Sequence, residues 1–178
     1  AGTNVDSLIT GSDNTDPNGC YSLAGFPAGN YFIKADPSIS TGFVKEYYQE
    51  CFSKREAAFI SIEAGEIVTI DFSLAPGTTI EGTITTLSGM PIEGVDLDIL
   101  TFPDFTSYSM VTARTDAGGT YTIGNLPTGR YIIKADPDPD MGQHFATMYY
   151  FEAITKSNAL PVEIHSPQVP VTGIDLSL

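Results

Sequence analysis

A segment of 23 residues occurs twice in this chain, and the repetition limits the fold more than any other feature. Residues 15–37 read TDPNGCYSLAGFPAGNYFIKADP and residues 115–137 read TDAGGTYTIGNLPTGRYIIKADP, with twelve identical positions at an offset of 100. The match continues, with small gaps, in a tyrosine pair at 47–48 and 149–150 and in a five-residue ending at 70–74 and 174–178. Two copies of one sequence predict two copies of one structural unit.

The repeated residues indicate short β-strands joined by tight turns. Asp16 to Gly19 and Asp116 to Gly119 are predicted hairpin turns, because Asp bonds the backbone ahead of it and Gly adopts positive φ. Residues 130–136 then alternate, with Tyr131, Ile133 and Ala135 on one face. The spacing of such strands is typical of an all-β protein of two tandem Greek-key β-sandwich domains. We place these domains at residues 1–76 and 77–178.

The first copy lacks the front half that the second copy has. Residues 79–100 form about two further predicted strands, and nothing upstream of the first copy matches them. A sandwich without two strands exposes core and strand edges. Three interpretations stay open: a trimmed fragment, a naturally shorter module, or strands supplied by a neighbouring chain.

Acidic residues outnumber basic ones by 22 to 8, and the formal net charge is −14. This balance argues against nucleic-acid binding and against docking on an anionic membrane. No apolar run reaches the roughly 18 residues that span a bilayer, and no signal peptide begins at Ala1. We therefore expect a mature protein or a fragment that is extracellular or on the cell surface, without membrane insertion.

The motifs Gly-x-Tyr and Leu-Pro-x-Gly-x-Tyr, together with GTITTLSGMPIEGVDLDI at 82–99, resemble carboxypeptidase-regulatory-like modules. These modules are similar to transthyretin-like (prealbumin-like) and Cna-B-type domains of secreted bacterial surface proteins. The resemblance implies a stalk, spacer or adhesive unit without catalysis. Some Cna-B-type modules carry a Lys–Asn isopeptide bond, but strand 79–86 has no Lys and strand 171–178 has no Asn. We expect no such bond here.

Cys20 and Cys51 are the only cysteines, and the second copy has Thr120 and Ala153 at the corresponding positions. Two cysteines that occur together and are replaced together are typical of a disulfide, with two buried thiols as the alternative. The chain has no Cys-x-x-Cys motif and no nearby His, which argues against a redox or metal role.

Asp136, Asp138 and Asp140 alternate, and alternating carboxylates can wrap Ca²⁺. Thr147 stands where a calcium loop has its bidentate Glu, and the first copy retains Asp36 alone. A solvated acidic loop is therefore the alternative to a calcium site. We expect no other cofactor.

Each copy has a tyrosine pair, and neighbours in a strand point to opposite faces. One tyrosine of each pair is therefore expected in the core and the other on the surface. Tyr48 and Tyr150 are predicted to contact protein or sugar, with plain packing as the alternative.

We expect no catalysis, because the two histidines, His144 and His165, accompany no recognisable nucleophile, zinc or phosphate motif. The first hypothesis is a structural or assembly module of an extracellular surface protein or filament, partnered by other protein chains. The second is a carbohydrate- or protein-binding adhesin, with or without Ca²⁺. The third is an accessory domain of a secreted hydrolase.

The predicted disulfide can be tested by counting thiols. Protein denatured without reductant should contain no reactive thiol, and reduction should release two, because Cys20 and Cys51 are the only cysteines. The bond would close a loop of about 30 residues and stabilise the fold by roughly 3 kcal/mol. Two reactive thiols in unreduced protein from an oxidising compartment would contradict the prediction.

Overall fold

The computed structural model describes residues 10–52, 54, 56–105, 107–108, 113–138 and 145–178. It divides the chain into two compact units. Unit one comprises Ala1–Tyr31, described from Thr10, with Phe59–Thr69, and unit two comprises Phe32–Ala58 with Ile70–Leu178. Part of the first copy thus belongs to the same compact unit as the second copy. The domain boundary at 76/77 stays a prediction.

The described residues form strands and two short 3₁₀ turns. In unit one the strands are β1 (Gly29–Tyr31) and β4 (Ile60–Ile62). In unit two they are β2 (Lys34–Ala35), β3 (Glu46–Tyr47), β5 (Thr78–Thr85), β6 (Asp96–Thr101), β7 (Ala113–Arg114), β8 (Thr120–Leu126), β9 (Gly129–Asp136), β10 (Met148–Tyr149), β11 (Val162–Ile164) and β12 (Leu176–Ser177). The 3₁₀ turns are η1 (Ile39–Thr41) and η2 (Lys156–Asn158). Within the described ranges, no helix has the length and apolar character needed to cross a membrane.

Two sheets of unit two make a β-sandwich. The larger sheet has the order β10-β9-β6-β7, and β11 pairs with β9 beside β10. The smaller sheet has the order β12-β5-β8. Along β9 the alternation places Tyr131, Ile133 and Ala135 in the core, while Ile132 and Lys134 lie on the opposite face, as predicted. The all-β sandwich prediction is confirmed.

The core lies between these two sheets and is filled by branched and aromatic side chains. Ile80, Ile84 and Ile123 of the smaller sheet are fully buried, and they pack in one cluster with Leu97 and Ile133 of the larger sheet. Burying each such side chain stabilises the fold by roughly 1.5–3 kcal/mol. The described residues of the second copy therefore form the core that the strand pattern predicts.

The predicted turn forms in both copies with matching hydrogen bonds, but in the second copy it is not a hairpin, because β7 and β8 lie in different sheets. Asp16 Oδ1 accepts from the backbone N–H groups of Asn18 (2.8 Å) and Cys20 (2.9 Å). Asp116 Oδ1 accepts equally from Gly118 and Thr120, both at 2.9 Å. The hydrogen bond from the backbone N–H of Cys20 is the main cause that lowers the pKa of Asp16. For Asp116, the main cause is the hydrogen bond from the Thr120 hydroxyl. The turn is thus encoded locally, whatever surrounds it.

The segment after this turn differs between the copies. Residues 120–126 form β8, whereas none of the ladders among the described residues includes residues 22–26. In the second copy β8 pairs with β5, and the first copy has no counterpart of β5 in this sequence. A strand needs a neighbour for its N–H and C=O groups. Over residues 20–26 only Tyr21 is identical to its counterpart, and the copy that forms a strand is the one that pairs with β5.

Residues 37–44 of the first copy pack on one end of the second copy's sandwich. The Nδ2 of Asn125 donates to the Pro37 carbonyl at 2.9 Å. A Cβ on Gly124 would lie 2.6 Å from the Ile39 side chain, and one on Gly77 would lie 3.0 Å from Val44. These contacts explain why the compact unit crosses the repeat boundary. In the sequence, this packing is indicated by Ile39, which occupies the position of Pro139 in the second copy.

The two copies of the turn allow the effect of the surrounding structure on a glycine substitution to be measured. Gly119 has φ +71° and an added Cβ would lie 2.5 Å from the Ile84 carbonyl oxygen, whereas Gly19 has φ +82° and nothing within 4 Å. Gly119→Ala should lower the unfolding free energy by roughly 3 kcal/mol through left-handed strain and overpacking. Gly19→Ala should cost about 1 kcal/mol through strain alone.

Urea unfolding of the full chain, followed by circular dichroism, measures both changes. Gly118→Ala is the control, because the first copy has Asn18 at this position. Equal losses for the Gly19 and Gly119 variants would contradict the role of the surrounding sheet.

Candidate functional site

The first and last strands of the second copy are parallel neighbours. β5 and β12 pair in parallel, with Leu176 beside Ile84 and Ser177 beside Thr85. A further parallel bridge joins Ile80 to Val171. The backbone contact therefore runs along almost all of β5. We call residues 79–85 and 171–178 together the terminal-strand clamp.

Backbone hydrogen bonds close the clamp along its length. Val171 N donates to the Thr79 carbonyl at 2.9 Å, and Glu81 N donates to the Val171 carbonyl at 2.9 Å. Ile174 N donates to the Glu81 carbonyl at 3.1 Å, and Leu178 N donates to the Thr85 carbonyl at 2.8 Å. Each neutral bond contributes roughly 0.5–1.5 kcal/mol. Together these bonds join the two strands along the length of the clamp.

Three side-chain positions hold the clamp together. Asp175 Oδ1 accepts from the backbone N–H and from the hydroxyl of Thr83, both at 2.8 Å. The buried Tyr121 hydroxyl donates to the Ile174 carbonyl at 2.6 Å. Burial is the main cause that raises the pKa of Tyr121, followed by the charge of Asp175. Gly82 is required because any Cβ there would overlap the Ile174 carbonyl.

An aromatic and cationic cluster lies at the start of β9. The rings of Phe102 and Phe105 meet edge to face, with centroids 5.7 Å apart. The Arg130 guanidinium lies 4.4 Å from the centroid of Phe102, and the Lys156 ammonium lies 5.4 Å from that of Phe105. Arg130 also pairs with Glu163 at 2.9 Å. Such cation–π contacts contribute roughly 0.5–1 kcal/mol each at a surface.

The predicted contact residues Tyr48 and Tyr150 are both half-buried. Tyr48 meets Phe72 edge to face at 6.2 Å, and Tyr150 meets Phe151 in the same way at 5.7 Å. Tyr47 and Tyr149 are also half-buried, and one tyrosine of each pair, Tyr47 and Tyr150, packs against the core cluster. β3 and β10 are two residues long, so Tyr48 and Tyr150 lie just after these strands, where tight turns follow. Sugar or protein contact by Tyr48 and Tyr150 stays a prediction.

Asp136 is engaged by protein groups. Its carboxylate accepts from the Lys134 ammonium at 2.6 Å and from the Thr147 hydroxyl at 2.7 Å, and Lys134 also pairs with Asp98 at 3.0 Å. The Lys134 hydrogen bond is the first cause that lowers the pKa of Asp136. Asp138 is half-buried, and Asp140 lies outside the described residues. Among the residues that the structure describes, no three acidic, His or Cys side chains could together hold a metal.

Cys20 is exposed and Cys51 is half-buried, and the structure has no disulfide between them. Cys51 exchanges backbone hydrogen bonds with Tyr47, just as Ala153 does with Tyr149. These matching backbone bonds agree with the predicted alignment of Cys51 with Ala153. The disulfide stays a prediction.

Sequence reasoning missed Glu46. This residue of β3 is 2% exposed, and burial, followed by the charge of Glu50, raises its pKa. Met148 occupies the corresponding position in β10. A carboxyl group at a repeat position that is otherwise apolar is the signal that identifies it.

No protein-family model matches the chain, and no curated protein matches it. Among solved structures, the chain is similar to the Bacillus anthracis TIE protein, with 17% identity and a TM-score of 0.43 over 93% of this chain and 27% of that chain. It is also similar to the dioxygenase domain of a dioxygenase carbohydrate-binding protein fusion from Streptomyces sp. SirexAA-E. That likeness has 21% identity and a TM-score of 0.35 over 58% of this chain and 82% of that chain. The sandwich is therefore assigned from its own two packed sheets.

The two interpretations of Asp136 differ in their response to Ca²⁺. If Lys134 and Thr147 are its partners, millimolar Ca²⁺ should leave the melting temperature unchanged. Because the folded pKa of Asp136 is lowered, its contribution to stability is present above its ordinary pKa of about 3.9 and is lost as the pH falls through the folded value. Asp136→Asn should therefore make the melting temperature fall less steeply at acidic pH.

Thermal melts between pH 2 and pH 7, with and without Ca²⁺, distinguish the two interpretations of Asp136. Asp104→Asn is the control, an acid in the turn after β6. A Ca²⁺-dependent rise in melting temperature that Asp136→Asn abolishes would show a calcium site instead.

Proposed function

We propose that the second copy is a non-catalytic, load-bearing module of an extracellular surface protein or filament. The observation that carries this proposal is the terminal-strand clamp, in which β5 and β12 run parallel at the two ends of the module. The resemblance to carboxypeptidase-regulatory-like and Cna-B-type modules supports the same role. The acidic surface is compatible with an extracellular protein.

Parallel end strands respond to tension by shear. A pull at residue 77 draws β5 towards its own beginning, and a pull at residue 178 draws β12 towards its own end. The two strands are then forced to slide past each other, so that all the clamp bonds carry the load together. In an antiparallel pair pulled from adjacent ends, the bonds break one at a time. The connectivity therefore favours resistance to force.

Several ionisable side chains of unit two make hydrogen bonds or ion pairs that hold its strands and turns in place. Asp116 organises a turn, Asp175 holds the clamp, and Lys134 joins Asp98 to Asp136 across β6 and β9. Each of these side chains is directed to a backbone or a strand partner. This use of charge supports a mechanical rather than a catalytic role.

The aromatic and cationic cluster favours a second candidate, a protein- or carbohydrate-binding adhesin. Phe102, Phe105, Arg130 and Lys156 combine ring faces with hydrogen-bond donors at one surface, as such partners require. Phe151 (61% exposed) and Leu160 (55%) lie on the segment that contains Lys156. Adhesion and load bearing are compatible in one surface protein.

Force spectroscopy on the full chain tests the load-bearing function. Attachment at residues 77 and 178 should give one high-force unfolding event, because the clamp is sheared. Asp175→Ala removes two hydrogen bonds to Thr83 and should raise the unfolding rate at constant load roughly five- to tenfold, for a loss near 1 kcal/mol. Asp96→Ala, which affects a salt bridge outside the clamp, is the control variant.

Pulling geometry provides a second control. β5 and β8 are antiparallel, and residue 78 pairs with residue 126. Attachment at residues 77 and 127 should therefore unzip the sheet at a clearly lower force. Equal forces in the two geometries would contradict the load-bearing function.

A further inference from the structure

Gly124 lies where the sandwich of the second copy meets the preceding copy, and a side chain there would overlap that copy. A Cβ on Gly124 would lie 2.6 Å from Ile39 Cγ2 and 2.9 Å from Ile39 Cγ1. All three of the nearest atoms belong to Ile39. The φ angle of Gly124 is not positive, so its backbone does not itself require glycine. The contact with Ile39 is therefore what excludes a side chain at this position.

Asn125 supplies the polar half of the same contact. This residue is 5% exposed, and its Nδ2 donates to the Pro37 carbonyl at 2.9 Å. Its φ is +60°, a left-handed conformation that asparagine adopts more readily than most residues. The first copy has Gly25 at this position, with φ +83°. The backbone thus turns the same way in both copies, and only Asn125 adds a donor for the preceding segment.

Backbone hydrogen bonds join the linker between the copies to both of them. The Val44 N–H donates to the Ala75 carbonyl at 2.8 Å, and the Gly77 N–H donates to the Gly42 carbonyl at 2.7 Å. On the other side, the Gly77 carbonyl accepts from the Gln168 N–H at 3.0 Å. The two amides that face the first copy, Val44 and Gly77, therefore report on whether that copy is docked.

The repeat changes both residues of the receiving side. At the positions of Gly124 and Asn125 the first copy has Ala24 and Gly25. Ala24 has the Cβ that Gly124 lacks, and Gly25 lacks the amide that donates to Pro37. The first copy therefore has neither of the two features with which the second copy receives its neighbour.

The docking side differs between the copies as well. Ile39 is 47% exposed and lies with its γ carbons against Gly124, and Pro139 occupies its position in the second copy. Val44 is 0% exposed, whereas its counterpart Ala146, aligned through the tyrosine pairs, is exposed. The second copy thus lacks the side chains with which the first copy docks.

We propose that the surface formed by Gly77, Gly124 and Asn125, here called the junction face, selects the module that precedes it. Gly124 admits the two γ carbons of a β-branched residue at the position of Ile39, and Asn125 binds the carbonyl two residues earlier. The inference rests on the proposed function, which it deepens by naming the partner of this face. Because the linker tethers the two modules, their effective concentration is high and a few contacts suffice. Modules with alanine and glycine at these two positions do not accept such a segment.

Amide hydrogen exchange of Val44 and Gly77 in the full chain measures this docking. Gly124→Ala should accelerate their exchange roughly tenfold or more through overpacking against Ile39. Asn125→Gly, which keeps the left-handed backbone, should accelerate it about fivefold through loss of one hydrogen bond. Gly118→Ala is the control, because no atom lies closer than 3.3 Å to its added Cβ.

Replacement of Ile39 separates selection from a general loss of stability. Ile39→Ala removes both γ carbons, so in this background Gly124→Ala should change the exchange by less than about twofold. Ile39→Val retains both γ carbons and should remain sensitive to Gly124→Ala. An effect of Gly124→Ala that is equal with and without the γ carbons, or absent while Ile39 is present, would overturn the proposal.

The unfolding force between residues 77 and 178 is measured on the same variants. Exchange that ignores the substitutions, together with an intact high-force event, would refute the selection and leave the load-bearing function in place. The expected changes in exchange, together with a low unfolding force, would support the selection and contradict the load-bearing function.

Discussion

The pairing of β5 with strands on both of its sides is the interaction on which the sandwich of the second copy depends. On one side β5 satisfies the backbone groups of β8, and on the other it carries β12 in parallel. Its inward residues Ile80 and Ile84 are at the same time part of the core. One strand therefore supplies ladder bonds, core volume and the connection between the two ends of the module.

The two copies of the repeat separate local from tertiary causes of structure. The Asp-x-x-Gly turn forms in both, because its hydrogen bonds are made within five residues. The following segment is a strand only beside β5, because an extended backbone must find its partners elsewhere in the chain. Among the described residues, the first copy thus has the turn without a following strand, and the second has the turn followed by β8.

Prediction from sequence succeeded where the signal was periodic or repeated. The alternation at Tyr131, Ile133 and Ala135 identified the core face of β9, and the alignment of Cys51 with Ala153 agrees with their matching backbone bonds. It was less reliable at the tyrosine pairs, where Tyr150, predicted as the surface residue, packs against the core, because the two-residue strands end just before Tyr48 and Tyr150. It also missed the packing of Ile39 on Gly124, which joins segments far apart in the chain.

The candidate site was likewise predicted from the sequence only in part. The ending IDLSL at 174–178 was recognised as a repeated element, but its parallel pairing with β5 and the role of Gly82 beneath Ile174 were not. By itself, the sequence determined the all-β class, the turns and the core pattern, since these depend on side chains a few residues apart. Tertiary structure alone decided which strands pair and where the ends of the module meet. Those outcomes depend on backbone N–H and C=O groups that nearly all residues share, so the sequence does not specify which strand pairs with which.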